Sequence, residues 1–121
     1  MRERGGVVSD CIFCKIIKGE IPSEKLLENE WLIAIRDIQP AAKVHVLIIP
    51  KRHIPDILHL DDEDDETIIA VHRAIRTLAE QLGVDKDGFR VVVNCGEFGG
   101  QTVGHLHYHL LGGEKLSLKM A

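Results

Sequence analysis

Residues 104–113 read GHLHYHLLGG and set His105, His107 and His109 at every second position. Successive side chains of an extended strand point to opposite faces, so residues i, i+2 and i+4 share one. The spacing therefore predicts a row of three imidazoles on one side of a strand, with Leu106, Tyr108 and Leu110 packed into a core on the other. Gly112-Gly113 marks the strand end. Histidines serving only as polar filler on a wet face are the plain alternative. Three titratable rings in register are better matched to a metal or a reaction.

Upstream of this strand, Gly88-Phe89-Arg90-Val91-Val92-Val93-Asn94 reads as another strand, and Asn94 to Thr102 as a glycine-rich loop whose backbone N–H groups could approach an anion. Such loops are also common without any ligand. Farther back, Ile68, Val71, His72, Ile75, Leu78, Ala79 and Leu82 fall at helical spacing behind the acidic block 61–66, and Gly83 supplies a stop. The carboxylates suit the positive end of the helix dipole, which explains them as capping and solvation rather than as a metal or partner site. His72 lies on or beside the apolar stripe, where a structural role is expected. Trp31 to Asp37 and the β-branched run Val44 to Ile49, closed by Pro50, read as strands joined by a short connection, hence an antiparallel pair. Leu26-Leu27-Glu28 adds a short strand in front. Ile12 to Ile17 offers a short amphipathic turn or helix, stopped by Gly19 and Pro22. The order predicts an α+β domain with an antiparallel β-sheet of about four to six strands, one short and one long helix, and the helices packed on one side.

At 121 residues the chain fits one domain, read as a flexible N-terminal tail over 1–9 and a single domain over 10–121. Hydrophobic residues make up 45% and charged residues 28%, and no apolar run approaches the ~18–20 residues of a membrane span. The start, MRERGGVVSDC, has no apolar h-region, so cytoplasmic residence is the expectation. A net charge of −4 argues against nucleic acid as a partner, although a local site can still be positive enough for a small anion. Three cysteines are too few for a secreted disulfide framework; Cys11-x-x-Cys14 reads as half a metal site or a redox pair, and Cys95 has no evident partner.

Three functions fit the histidine row. A three-histidine metal centre would leave a position open for water, but alternating residues over ~13 Å of strand, at ~3.3 Å each, cannot all meet one ion at ~2.0–2.1 Å. Nucleophilic catalysis uses the middle ring, His107, to attack phosphorus while its neighbours orient it and neutralise charge, with Asn94, Gln101 and Thr102 supplying donors. A nucleotide-binding module without turnover would use the same pocket.

His105-Leu106-His107-Tyr108-His109-Leu110-Leu111 has the form H-x-H-x-H followed by two apolar residues, and in it the chain resembles the histidine triad (HIT) superfamily. Asp10 to Ile17 with Gly19-Glu20-Ile21-Pro22, Arg36 to Pro40, His45 to Ile54, Val92-Val93-Asn94 and Gly99 to Thr102 resemble its Hint-like branch, in order, over roughly residues 10–113. The resemblance implies a HIT-like fold and a homodimer that hydrolyses purine nucleoside phosphoramidates such as adenosine 5′-monophosphoramidate or AMP-lysine; dinucleoside polyphosphate hydrolysis is the nearer alternative. It implies that His107 attacks the α-phosphorus, that His109 donates to phosphate oxygens, and that His45 and His105 orient the row. Asn94, Gln101 and Thr102 would meet the phosphate or leaving group, Asp37 the ribose hydroxyls, and Ile12, Phe13, Ile16, Ile35 and Ile38 the base. Read singly, those isoleucines are ordinary core and Asp37 a turn residue. The resemblance further implies a structural zinc site of Cys11, Cys14, His53 and His105, a closed set of two thiolates and two imidazoles, with no cofactor needed for catalysis. A free reduced cysteine pair is the alternative. Departures are Gly104 where some relatives place tyrosine, Thr102 where many place serine, and a tail after Gly113 without the tryptophan-containing ending of animal relatives.

Overall fold

The computed structural model describes residues 10–119; the tail expected over residues 1–9 lies outside them. Along the chain run α1 (Ile12–Ile17), β1 (Lys25–Glu28), β2 (Leu32–Arg36), β3 (Val44–Pro50), two single turns of 3₁₀ helix (Ile57–His59 and Asp62–Asp64), α2 (Asp65–Gln81), β4 (Phe89–Val92) and β5 (Tyr108–Gly112). The strands form one five-stranded antiparallel sheet in the order β1-β2-β3-β5-β4. Among the described residues no helix is long and apolar enough to cross a membrane.

α2 forms because Thr67, Val71, Ala74 and Leu78 make one buried stripe. Asp61 and Asp64 close a reciprocal capping box just ahead of it, and Gly83, at φ +73°, turns the chain out of it. Burying a leucine or valine is worth roughly 1.5–3 kcal/mol against ~1 kcal/mol for a cap, so the stripe, more than the caps, decides where the helix lies. It packs on Leu32, Ala34, Val46, Ile48, Tyr108 and Leu110.

The two helices lie on opposite faces of the sheet, not on one side as the sequence order suggested. Phe13 and Ile16 of α1 pack with Ile33, Ile35, Leu47 and Ile49, the alternate residues of the same strands. Both faces of β2 and β3 are therefore covered, and every residue from Leu32 to Ile35 is buried. His72 differs from expectation too: it is exposed on the outer side of α2.

The histidine segment is only partly a strand. β5 begins at Tyr108, so His105 and His107 precede it, although Leu106, Tyr108 and Leu110 do enter the α2-side core. The reason lies opposite. β3 pairs Ile48 with Tyr108, and continuing that register two residues would set Pro50, which has no N–H to donate, opposite Leu106. The chain bends there and finds other acceptors: Leu106 N–H donates to the Ile54 carbonyl at 2.6 Å, and the His105 ring to the Pro50 carbonyl.

Candidate active site and metal cluster

The imidazoles collect on the α1 face, where main-chain groups fix which nitrogen of each ring carries its hydrogen. Nδ1 of His107 lies 2.7 Å from the His105 carbonyl, which can only accept, so Nδ1–H donates and Nε2 keeps a free lone pair. Phe13 of α1 sets its edge against this ring, with centroids 5.0 Å apart, and holds its plane. His45 has the opposite arrangement. Its Nδ1 accepts from the Ala41 N–H at 3.0 Å, so its hydrogen sits on Nε2, which donates to His109 Nδ1 at 2.9 Å. His109 is thereby left with its hydrogen on Nε2. Asp37 Oδ2 lies 3.5 Å from His45 Nε2, while its Oδ1 accepts from the Gln39 N–H, so Asp37 both makes a turn and faces the row.

Burial pushes His109 down to about 4, aided by the neighbouring His107 and His45 rings and opposed by Asp37. His45 is lowered by burial in the same way, again against Asp37. Both rings are neutral at pH 7; the His45 Nε2–H faces both His109 Nδ1 and Asp37 Oδ2, and His109 is left presenting its own Nε2–H beside His107, whose ring centroid is 5.1 Å away.

His105 faces elsewhere. Its Nε2–H donates to the Pro50 carbonyl at 2.8 Å, which turns the Nδ1 lone pair toward Cys11 Sγ at 3.2 Å, Cys14 Sγ at 3.6 Å and His53 Nδ1 at 3.2 Å. Cys14 Sγ lies 3.3 Å from His53 Nδ1. Cys11 is the N-cap of α1 and accepts from the Cys14 N–H, so both thiols stand at the same end of the helix. A tetrahedron with bonds of ~2.0–2.3 Å has edges of about 3.3–3.8 Å; four of the six donor pairs lie at 3.2–3.6 Å and all six within 4.8 Å. Zinc fits the set: two sulfurs, two imidazoles, all four residues buried, and a carbonyl behind His105 that fixes its tautomer. Burial, with the Cys14 thiol beside it, holds the Cys11 thiol up at about 11; burial, aided by the His53 and His107 rings and opposed by the Pro50 carbonyl, holds His105 down at about 4. A divalent cation at the centre would reverse the preference at sulfur. Asp37, His45 and His109 also gather three ligand atoms within 4.8 Å of one another, but the hydrogen that Ala41 forces onto His45 Nε2 points into that space and is taken up by His109 Nδ1.

The loop from Asn94 to Thr102 is held by its own side chains. Asn94 donates to the Gly99 carbonyl at 2.7 Å; Gln101 donates to the Pro55 and Val103 carbonyls and accepts from the Gly96 N–H. Gly99 is required there, because a Cβ would collide with the Cys95 carbonyl. Thr102 is exposed and lines a cavity of about 510 Å³ with Pro55, Asp56, Glu97 and Gln101. A larger one, of about 560 Å³, lies at the far end of α2, where no histidine lines it. Of the expected base-pocket residues, Ile16 and Ile35 are buried in the α1-side core; Phe13 is buried beneath the rings, and Ile12 and Ile38 are exposed. Sequence reasoning missed the Pro50, Ile54 and His105 carbonyls and the Ala41 N–H, which no side-chain pattern announces.

A HIT domain model matches residues 18–116. The chain belongs to the HIT family. It is 38% identical over 115 residues to the purine nucleoside phosphoramidase of Escherichia coli K12, covering 95% of this chain and 97% of that one. An uncharacterized HIT-like protein of Synechococcus elongatus is 43% identical over 108 residues, covering 89% of this chain and 94% of its own. Among solved structures, a HIT family hydrolase from Clostridium thermocellum superposes with a TM-score of 0.90 at 49% identity, over 94% of this chain and 99% of that one.

Proposed function

We propose that this HIT-family chain hydrolyses purine nucleoside phosphoramidates of the AMP-lysine or adenosine 5′-monophosphoramidate type through a nucleotidyl-histidine intermediate. The observation that carries the reading is the lone pair on His107 Nε2, left free because Nδ1 donates to the His105 carbonyl. The likeness to the Escherichia coli phosphoramidase supports the same substrate class. His107 Nε2 attacks the α-phosphorus and forms a P–N bond as the bond to the leaving amine breaks. His109, with its hydrogen on Nε2, hydrogen-bonds a phosphate oxygen and steadies the charge that builds there, and His45 holds His109 in that orientation. The departing nitrogen takes a proton from solvent and leaves as the amine; water then attacks the same phosphorus, returns that proton to solvent, and His107 leaves as the neutral ring.

Asp37 holds the ribose hydroxyls, and Ile12, Phe13, Ile16, Ile35 and Ile38 form or back the base subsite. Asn94, Gln101 and Thr102 bound the phosphate and leaving-group side, the first two by shaping the loop and Thr102 with its exposed hydroxyl. A zinc ion held by Cys11, Cys14, His53 and His105 would supply a structural cross-link between α1 and the histidine segment. The protein acts in the cytoplasm, where thiols stay reduced, and as a homodimer. The exposed apolar residues Phe89 and Val91 on the outermost strand β4 support the dimer.

Mass spectrometry of protein quenched during turnover of an AMP-lysine analogue tests the reaction. One AMP on His107 is expected, and none in His107→Ala. Turnover by that variant would exclude attack by His107, and preference for diadenosine polyphosphates in a substrate panel would move the assignment to that class.

A further inference from the structure

Residues 50–55 hand three main-chain acceptors to the active segment. The Pro50 carbonyl takes the His105 Nε2–H at 2.8 Å, the Ile54 carbonyl takes the Leu106 N–H at 2.6 Å, and the Pro55 carbonyl takes a Gln101 side-chain N–H at 2.8 Å. The first sets the tautomer of His105, whose own carbonyl sets that of His107. The third holds the loop beside Thr102. Whatever holds this segment therefore holds the row and the loop together.

Asp64 is 0% exposed, a buried carboxylate outside the site. One of its oxygens accepts from the Asp61 N–H at 3.1 Å, closing the cap ahead of α2; the other lies 3.5 Å from Arg52 Nε. Arg52 stands next to His53 in the middle of the acceptor segment, and its other end reaches Glu63 at 3.6 Å. A helix cap needs no arginine, and a hydrophobic residue would fill the space at lower desolvation cost. The guanidinium instead ties the 50–55 segment to the rigid start of α2.

We propose that Asp64, acting through Arg52, is a positioning residue for the histidine row and the phosphate loop. The inference rests on the phosphoramidate reading for its kinetic consequence only. Asp64→Asn keeps an oxygen for the Asp61 N–H but removes the charge; Arg52→Met removes the other partner; Asp61→Ala removes the cap and keeps the pair. For each, turnover of an AMP-lysine analogue is measured, and long-range ¹H–¹⁵N correlation spectra report the imidazole tautomers. Because small misplacements of catalytic groups are costly, Asp64→Asn and Arg52→Met are expected to lower kcat about tenfold with KM changed less than about twofold. They should also move the His105 nitrogen resonances away from those of a fixed Nε2–H ring. Asp61→Ala should lower Tm and leave kcat and the His105 resonances in place. Native kcat with unshifted His105 resonances in Asp64→Asn and Arg52→Met overturns the proposal, and so does Asp61→Ala reproducing both losses. If Asp64→Asn does not fold, Arg52→Met decides. If the native protein turns over no phosphoramidate, the reading of the reaction fails, while the imidazole spectra still decide the positioning.

Discussion

Three rings of the site take their protonation pattern from a main-chain neighbour, His105 from the Pro50 carbonyl, His107 from the His105 carbonyl and His45 from the Ala41 N–H, and His109 takes its own from His45. The sequence displays the imidazoles and their spacing, which put His107 in the middle of the row, but tautomers depend on carbonyls that every residue possesses. Asp37 shows the same limit, since its two oxygens do different work and only the fold shows which faces His45. The neutral rings carry a stability signature. His109 titrates near 4 in the folded chain against an ordinary 6.5, so between those values the unfolded chain binds more protons. This contribution is whole above about pH 6.5 and is lost as pH falls toward 4. Urea unfolding of chelator-treated protein at steps from pH 7 to 4.5 should show stability declining across that window, and His109→Gln should make the decline shallower, with His105, also held down to about 4, supplying the remainder. The Lys51-paired Glu28, also depressed, acts only below its ordinary 4.5 and cannot produce it.

At the scale of elements, α1 depends on more than its own six residues, too few for an isolated helix. Phe13 and Ile16 anchor one side, and the Cys11 and Cys14 thiols anchor the end. Stripping metal with a chelator should lower Tm and the urea midpoint. The loss should be several kcal/mol, below the ~10–16 kcal/mol of zinc-finger peptides because the apolar contacts remain. Elemental analysis of the unchelated protein should give one zinc per chain, and Cys11→Ser/Cys14→Ser should bind none and be indifferent to chelator. The strands themselves were legible: β-branched runs ended by proline or glycine appear where expected. The placement of the helices was misjudged, although Leu32-Ile33-Ala34-Ile35 and Val46-Leu47-Ile48-Ile49 do not alternate, the pattern of strands covered on both faces. The late start of β5 was hidden for another reason: it depends on Pro50 falling where β3 would face Leu106, a matter of register that local spacing does not encode.

For the whole molecule, the sheet ends at β4, which has one strand neighbour among the described residues and exposes Phe89 and Val91. If two copies join there, native protein should sediment at twice the 13.5 kDa chain mass. Val91→Lys should sediment as single chains while keeping its far-UV circular dichroism. The tail lies close by: the Ser117 carbonyl accepts from Arg90 of β4, and Glu114 accepts from the Lys43 N–H. The α+β class follows from pattern alone, whereas the pairing of β4 with β5 across residues 93–107 required the fold. The sheet also divides the molecule into a chemical side and a mechanical side. A tether or reporter group fixed at Arg73 or Arg76, on the solvent side of α2, would ride on the back of the protein, across the sheet from the histidine row.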